Sequence, residues 1–180
     1  NPYPNECIQR IRCLDNKYII RGNEEKYLEN LINKNQKTWI DGQMQISYYG
    51  YRAIRADNLD YILSMPNMLK ITYNDVSLHI AHSSEEFIAD CEHKEWSTAQ
   101  VAKRYMDKEV TSDSFRADIH NYFDNNTRFQ QIFSELDQGV YIFGNYHIQW
   151  SYQSTDGKTT LINPGSCGLP LDGIIGSIPY

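Results

Sequence analysis

Short apolar runs separated by polar turns mark the strands of this sequence, most clearly in its last third. Val140–Phe143 form an unbroken apolar run, which is typical of a strand buried on both faces of a sheet. Farther along, Gln149–Gln153 and Thr159–Ile162 flank the turn sequence Asp156-Gly157, and this pattern predicts a β-hairpin. A tight loop is then predicted at Asn163-Pro164-Gly165-Ser166.

A second hairpin is predicted upstream of this region. Leu69–Tyr73 and Val76–Ala81 flank the turn residues Asn74-Asp75. The alternation in the second strand predicts an apolar face and an opposite face that carries His79. Because His79 lies inside a strand, we interpret it as a structural histidine. The predicted apolar face consists of Val76, Leu78 and Ile80.

Apolar residues at spacings of three and four predict helices around these strands. We expect Asn5 to cap the first helix, Ile32 to face inward from the second, and Gly139 to cap the end of the last. Lys17–Arg21 has the pattern of a short strand, and Asn33–Gln45 is polar and predicted to be irregular. The predicted helices are Asn5–Leu14, Glu24–Ile32, Asp57–Met65, Ser97–Met106, Ser112–Asp124 and a segment carrying Phe129, Ile132, Phe133 and Leu136.

Composition limits the class of protein. The 180 residues carry a net charge of −6, which disfavours binding to nucleic-acid polymers or anionic membranes. The four cysteines form no Cys-x-x-Cys pair, so reduced thiols and a cytoplasmic location are expected. No apolar run approaches the roughly 18 residues of a membrane span. We therefore expect one α/β domain over residues 1–180, and the oligomeric state stays open.

Four short polar motifs each follow an apolar, strand-like run. Gly144–His147 resembles the Gly-His-x-His loop of the calcineurin-like metallophosphoesterase superfamily. Asn163–Pro170 resembles the Asn-Pro-Gly-Ser-x-Gly signature of its bacterial branch of small phosphodiesterases and diadenosine-tetraphosphatase-like hydrolases. Upstream, Arg21–Glu25 resembles the family's Gly-Asn-His-Asp/Glu motif, and Ile80–Ser84 resembles its His-Gly-Ser motif. The four motifs occur in the family's order within residues 1–170.

The resemblance implies the family's α/β fold, a four-layer α-β-β-α sandwich in which two mixed sheets are flanked by helices. Members of the family open with an Asp-x-His motif followed by a Gly-Asp motif. Pro4-Asn5-Glu6 resembles what usually follows the second of these motifs, and neither motif precedes it. We therefore expect this sequence to be the central and C-terminal part of the domain, incomplete at both ends.

The resemblance also implies a site with two divalent metal ions, manganese, iron or zinc, roughly 3.5–4 Å apart. Asn23, His82 and Asn145 would face one ion, and His147 would face the other. The metal-bound hydroxide would attack a phosphate-containing substrate. The bridging aspartate and the remaining ligands would come from the upstream segment.

Two residues depart from the family's pattern. Asn145 stands where the family commonly has a histidine, and an amide oxygen is a weaker donor than imidazole. Glu24 stands at the position of the family's general-acid histidine, and a carboxyl group donates a proton only if its pKa is raised. Alternatively, Glu24 and Glu25 suit the N-terminus of a helix on electrostatic grounds alone.

Two functions follow from these residues. The first is a metal-dependent phosphoesterase, a hydrolase acting on a phosphodiester, a nucleotide or a phosphoprotein. The alternative is a catalytically degenerate phosphoesterase scaffold that serves as a protein-binding module, which the departures at Asn145 and Glu24 would permit.

Overall fold

The computed structural model describes residues 3–34, 44–88, 103–104 and 111–167. The chain divides into two compact units, residues 1–67 and residues 68–180, here named the helical unit and the sheet unit. Most of the helix predicted over Ser97–Met106 lies outside the described residues, and only Lys103 and Arg104 are seen to be helical. Within the described ranges, no helix is both long and apolar enough to cross a membrane.

In its described residues, the helical unit contains helices and no strand. A small core holds them together, in which Ile8, Leu28 and Ile62 are buried against half-buried aromatic and aliphatic side chains. The helices are α1 (Pro4–Arg12), α2 (Asn23–Lys34), α3 (Met44–Ala53) and α4 (Ala56–Leu63). The helices predicted over Glu24–Ile32 and Asp57–Met65 are confirmed as α2 and α4, apart from shifts of one or two residues at their ends.

Asn5 does not cap α1, so that prediction is wrong. The helix begins at Pro4, with Tyr3 at the N-cap position. Proline fits the first turn because it lacks the N–H that a cap would satisfy. The Asn5 amide instead donates to the carbonyl of Ala53 (2.8 Å) and accepts from the N–H of Arg55 (2.9 Å). Asn5 therefore links α1 to the junction between α3 and α4.

Three other expectations for the helical unit are wrong. Lys17–Arg21 is in no strand of the described chain, and the Arg21 N–H donates to the carbonyl of Pro66 instead. Ile32 is 40% exposed, because the buried face of α2 runs through Leu28 and Leu31. The segment Asn33–Gln45 is not irregular throughout, since α2 continues to Lys34 and α3 begins at Met44.

The sheet unit contains one mixed five-stranded sheet in the order β1-β2-β3-β5-β4. Strands β2, β3 and β5 are parallel neighbours, and β1 and β4 pair antiparallel at the two edges. Both predicted hairpins are confirmed, and Asn74 and Asp75 have the positive φ angles that a tight hairpin turn requires. The strands are β1 (Met68–Tyr73), β2 (Val76–Ala81), β3 (Gly139–Phe143), β4 (Trp150–Gln153) and β5 (Thr159–Asn163).

Helices α5 (Ser112–Asn125) and α6 (Thr127–Glu135) pack on one face of the sheet. Thr111 caps α5 through a reciprocal capping box with Ser114, and the Asn126 side chain caps α6. The core between helices and sheet is largely aromatic, and burial of these rings is the main source of stability of the unit. It includes Phe115, Ile119, Phe123, Phe129, Phe133, Tyr141, Phe143, Trp150, Tyr152 and Leu161.

The two faces of β2 are buried to different extents, and the face that carries His79 is the better buried one. His79 and Ala81 are buried, whereas Val76 is 44% exposed. His79 pairs with Tyr141 of β3, a residue of the aromatic core. Burial of a strand is decided by which face the helices cover, and apolar character alone does not reveal this.

Gly139 is not a helix cap. Helix α6 ends at Glu135, and Gly139 is the first residue of β3. A Cβ atom at Gly139 would lie 2.6 Å from the carbonyl oxygen of Ser77 on β2. Glycine is therefore required by the close approach of two neighbouring strands.

Candidate metal centre

The predicted motifs of the sheet unit meet at one edge of the sheet. His82 directly follows β2, Gly144 directly follows β3, and Asn163 is the last residue of β5. These three strands are adjacent and parallel, so their carboxyl ends lie at the same edge, where α/β proteins commonly bind ligands. The carbonyl of His82 accepts a hydrogen bond from the N–H of Gly144 (3.1 Å), which extends the pairing beyond the strands.

His82 lies directly against Gly144. A Cβ atom at Gly144 would lie 3.7 Å from Nδ1 of His82 and 3.9 Å from its Cε1. The imidazole therefore lies beside the start of the next loop, which the backbone bond between Gly144 and His82 already joins to it. The structure therefore brings together two motifs that are about sixty residues apart in sequence.

Residues in and just after the loop Gly144–His147 are alternately half-buried and buried, and the buried ones hold the loop in place. Tyr146 and Ile148 are inserted into the aromatic core, at 4% and 1% exposure. Asn145 and His147 occupy the alternate positions and are half-buried. Asn145 has a φ angle of 67°, a left-handed conformation that asparagine and histidine adopt more readily than most residues. The core thus anchors the loop while the two predicted ligands stay partly accessible.

Asn163 joins this loop to the next one. Its Nδ2 donates to the carbonyl of Gly144 (2.8 Å), and its Oδ1 accepts from the N–H of Gly165 (2.9 Å). The side chain is 1% exposed. The Asn-Pro-Gly-Ser loop is predicted from the sequence, but a role for Asn163 is not. The available signal was an asparagine at a strand end before Pro-Gly, where its amide can bond to nearby backbone.

Asn23 and Glu24 belong to the helical unit. Asn23 is the first residue of α2, and the Glu24 carboxylate accepts a hydrogen bond from the buried hydroxyl of Ser47 on α3. The neighbouring Glu25 carboxylate accepts from the N–H of Gly22 (2.7 Å). Acidic residues in this first helical turn agree with the electrostatic alternative for Glu24 and Glu25. That Asn23 joins His82 and the other ligands stays a prediction.

The donors at the sheet edge suit a first-row divalent ion only as part of a larger set. Imidazoles of His82 and His147 and the amide of Asn145 are donor types that manganese, iron and zinc accept. Among the residues that the structure describes, no group of three or more His, Cys, Asp and Glu side chains could hold a metal ion. That His82, Asn145 and His147 hold a metal ion with further ligands stays a prediction.

No protein-family model and no curated protein matches the chain. Among solved structures, a metallophosphoesterase from Sphaerobacter thermophilus superposes with a TM-score of 0.57 and 17% identity over 96% of this chain and 64% of that chain. A hypothetical protein from Pyrococcus horikoshii OT3 gives a TM-score of 0.57 and 14% identity over 94% and 60%. This chain thus spans less than two thirds of the length of either structure. With its mixed sheet and flanking helices, the chain has the α/β fold of a metallophosphoesterase.

Proposed function

We propose that the protein is a metal-dependent phosphoesterase. The observation that carries this proposal is the contact of His82 with Gly144, which joins two family motifs at the carboxyl ends of adjacent parallel strands. The likeness of the fold to a metallophosphoesterase supports it. The substrate class we propose is a phosphodiester, a nucleotide or a phosphoprotein, and we propose the bacterial phosphodiesterase branch from the resemblance of Asn163–Pro170.

We further propose that His82, Asn145 and His147 hold divalent cations, and we name manganese, iron or zinc from the donor types. When bound, two such cations lower the pKa of a water molecule and neutralise phosphoryl charge. The protein residues hold these donors in place. Tyr146 and Ile148 anchor the loop, so that Asn145 and His147 keep their positions without induced ordering.

Glu24 occupies the position of the family's general acid, which donates a proton to the leaving group. Its carboxylate is oriented by the hydroxyl of Ser47, a residue that is 5% exposed. We propose the proton-donating role for Glu24 from its place in the motif Arg21–Glu25. We expect Glu24→Gln to lower kcat with little change in KM.

The test is a measurement of metal content and hydrolysis on the full-length protein. Purified protein is analysed for manganese, iron and zinc, then stripped with a chelator and titrated with Mn²⁺ by calorimetry. Hydrolysis of bis(p-nitrophenyl) phosphate is followed before stripping, after stripping and after reloading. We expect hydrolysis to be lost with the metal and to return with Mn²⁺. Protein that binds none of these ions, or hydrolyses without them, contradicts the proposal.

A second candidate, a phosphoesterase scaffold that binds a protein partner, is favoured by two observations. Asn145 and Glu24 replace two histidines of the family's pattern. Four tyrosines of the described ranges are also more than half exposed, and tyrosines are common at protein interfaces. They are Tyr3 (66%), Tyr18 (69%), Tyr49 (53%) and Tyr73 (67%). Correctly folded full-length protein without metal or hydrolysis would favour this candidate.

A further inference from the structure

We propose that Asn163 is the positioning residue that fixes the loop Gly144–His147 against His82 for cation binding, an inference that rests on the proposed function. Asn163 itself touches neither substrate nor cation in this proposal. It acts through the backbone of Gly144, which is hydrogen-bonded to His82 and directly precedes Asn145 in the chain.

The first observation is that both ends of the Asn163 amide are used in a buried position. Its Nδ2 donates to the Gly144 carbonyl, and its Oδ1 accepts from the Gly165 N–H. Because Asn163 is only 1% exposed, water cannot replace either bond. A buried polar group that loses its partner retains the cost of desolvation, so both backbone groups would move if the amide were removed.

The second observation is the position of Gly144 in the site. Its N–H donates to the His82 carbonyl (3.1 Å), and its carbonyl also accepts from the N–H of Tyr146 (2.8 Å). Gly144 is thus bonded to His82 through its N–H, and the bond from Asn163 ends on its carbonyl, in the peptide that leads to Asn145 and His147. Cation ligands require placement within about 0.5 Å, so a small shift of this peptide weakens cation binding.

The third observation is that the second loop is packed against the segment after His147. A Cβ atom at Gly165 would lie 2.9 Å from Cγ of Gln149, and Gly165 has a φ angle of 84°. The main-chain carbonyl of Gln149 accepts from Nε of Arg116 on α5 (2.8 Å). Asn163 thus links the loop Gly144–His147 to the loop of Gly165, which packs on Gln149. Arg116 of α5 in turn holds Gln149.

The test compares two substitutions that remove an amide of the same kind. Asn163→Leu removes the bonds to Gly144 and Gly165 and keeps the number of non-hydrogen atoms in the side chain. The matched control is Gln130→Met, because Nε2 of Gln130 also donates to a backbone carbonyl, that of Phe123 (2.7 Å), and to the hydroxyl of Tyr152 (2.9 Å). The control removes bonds between α6, α5 and β4 and leaves the strand-end loops unchanged.

We expect Mn²⁺ to bind the full-length Asn163→Leu variant about tenfold more weakly than wild type, measured by calorimetry. Gln130→Met should bind within twofold of wild type, although both variants melt at lower temperature. Hydrolysis of bis(p-nitrophenyl) phosphate by Asn163→Leu should recover its kcat at saturating Mn²⁺. A residue with a purely structural role would not produce that recovery.

Asn163→Thr serves if the leucine variant does not fold, because threonine suits a strand end and one hydroxyl cannot bridge both partners. Equal Mn²⁺ affinity in wild type and in the folded Asn163 variant overturns the positioning role and leaves the proposed function intact. A wild-type protein that binds no Mn²⁺, zinc or iron overturns the proposed function, and this inference fails with it. The two failures are therefore distinguished by the wild-type titration alone.

Discussion

His79 of β2 stacks face to face on Tyr141 of β3, with ring centroids 4.3 Å apart and ring planes inclined by 10°. The Tyr141 hydroxyl donates to the carbonyl of Asp137 (3.0 Å). Among the described residues, Nε2 of His79 is buried without a hydrogen-bond partner. This stack places a titratable ring in the sheet, at the residue that the sequence analysis interpreted as structural.

Stability should fall as the solution is acidified through the range in which histidine titrates. Burial lowers the pKa of His79 below its usual 6.5, and Lys70 on β1 lowers it further, while Asp137 opposes the shift. A lowered folded-state pKa means that the unfolded chain binds the proton more readily. The contribution is therefore fully present above about pH 6.5 and is lost as pH falls through the folded pKa.

The variant that tests this expectation is His79→Phe. Phenylalanine can keep the stack on Tyr141, cannot be protonated, and replaces the unpaired Nε2 with carbon. We expect urea denaturation to show a smaller loss of stability between pH 7 and pH 5 in the variant. His120→Gln is the matched control, because it removes a histidine that is exposed on α5. An unchanged slope in His79→Phe would show that other groups cause the pH dependence.

Replacing either imidazole at the sheet edge should lower metal content more than stability. His82 and His147 are half-buried in loops, so His82→Ala or His147→Ala removes little core packing. We expect a loss of stability of about 1 kcal/mol or less, as for a typical surface substitution. Metal analysis and thermal unfolding of full-length variants check this expectation, with His120→Ala as control. Variants that unfold but keep their metal when folded would identify structural histidines.

Restoring the family's histidine at Asn145 should tighten the weaker cation site. Asn145→His replaces an amide donor with imidazole, and a gain of about 1.4 kcal/mol would be a tenfold change in affinity. The left-handed φ of 67° is one that histidine tolerates. Mn²⁺ titration by calorimetry, alongside hydrolysis rate, provides the measurement.

The control for this substitution is Asn145→Ala, which keeps no donor and should bind the cation more weakly than wild type. Equal affinity in Asn145→His and wild type, together with strong hydrolysis by both, would show that the amide is an adequate ligand. A binding module predicts a different result, in which none of the three proteins binds Mn²⁺.

Two glycines should respond in opposite directions to the same change. Gly139→Ala places a Cβ 2.6 Å from the Ser77 carbonyl and should destabilise the sheet unit by about 1–3 kcal/mol. Gly50→Ala in α3 meets nothing within 4 Å and should stabilise the helical unit by about 0.5–1 kcal/mol, because alanine suits a helix interior. Urea denaturation checks both, and equal effects at the two positions would contradict this account.

The strands were predictable from sequence where the signal is local. Val140–Phe143 is an apolar run, and the turns at Asn74-Asp75 and Asp156-Gly157 carry residues that tight hairpins require. The position of His82 and of Gly144–His147 at strand ends followed from the same local patterns and from the resemblance. These features depend on the backbone preferences of a few neighbouring residues. Such preferences act within a segment before it packs against other segments of the chain.

The tertiary structure alone decided which face of β2 is buried, since α5 and α6 cover the side that carries His79. It also decided that Lys17–Arg21 remains outside the sheet in the described chain, because a strand forms only when a neighbour satisfies its backbone groups. Asn163 acquires its bond to Gly144 only when β5 lies beside β3. Pairing between distant segments determines these three features, and no local pattern of residues contains that information.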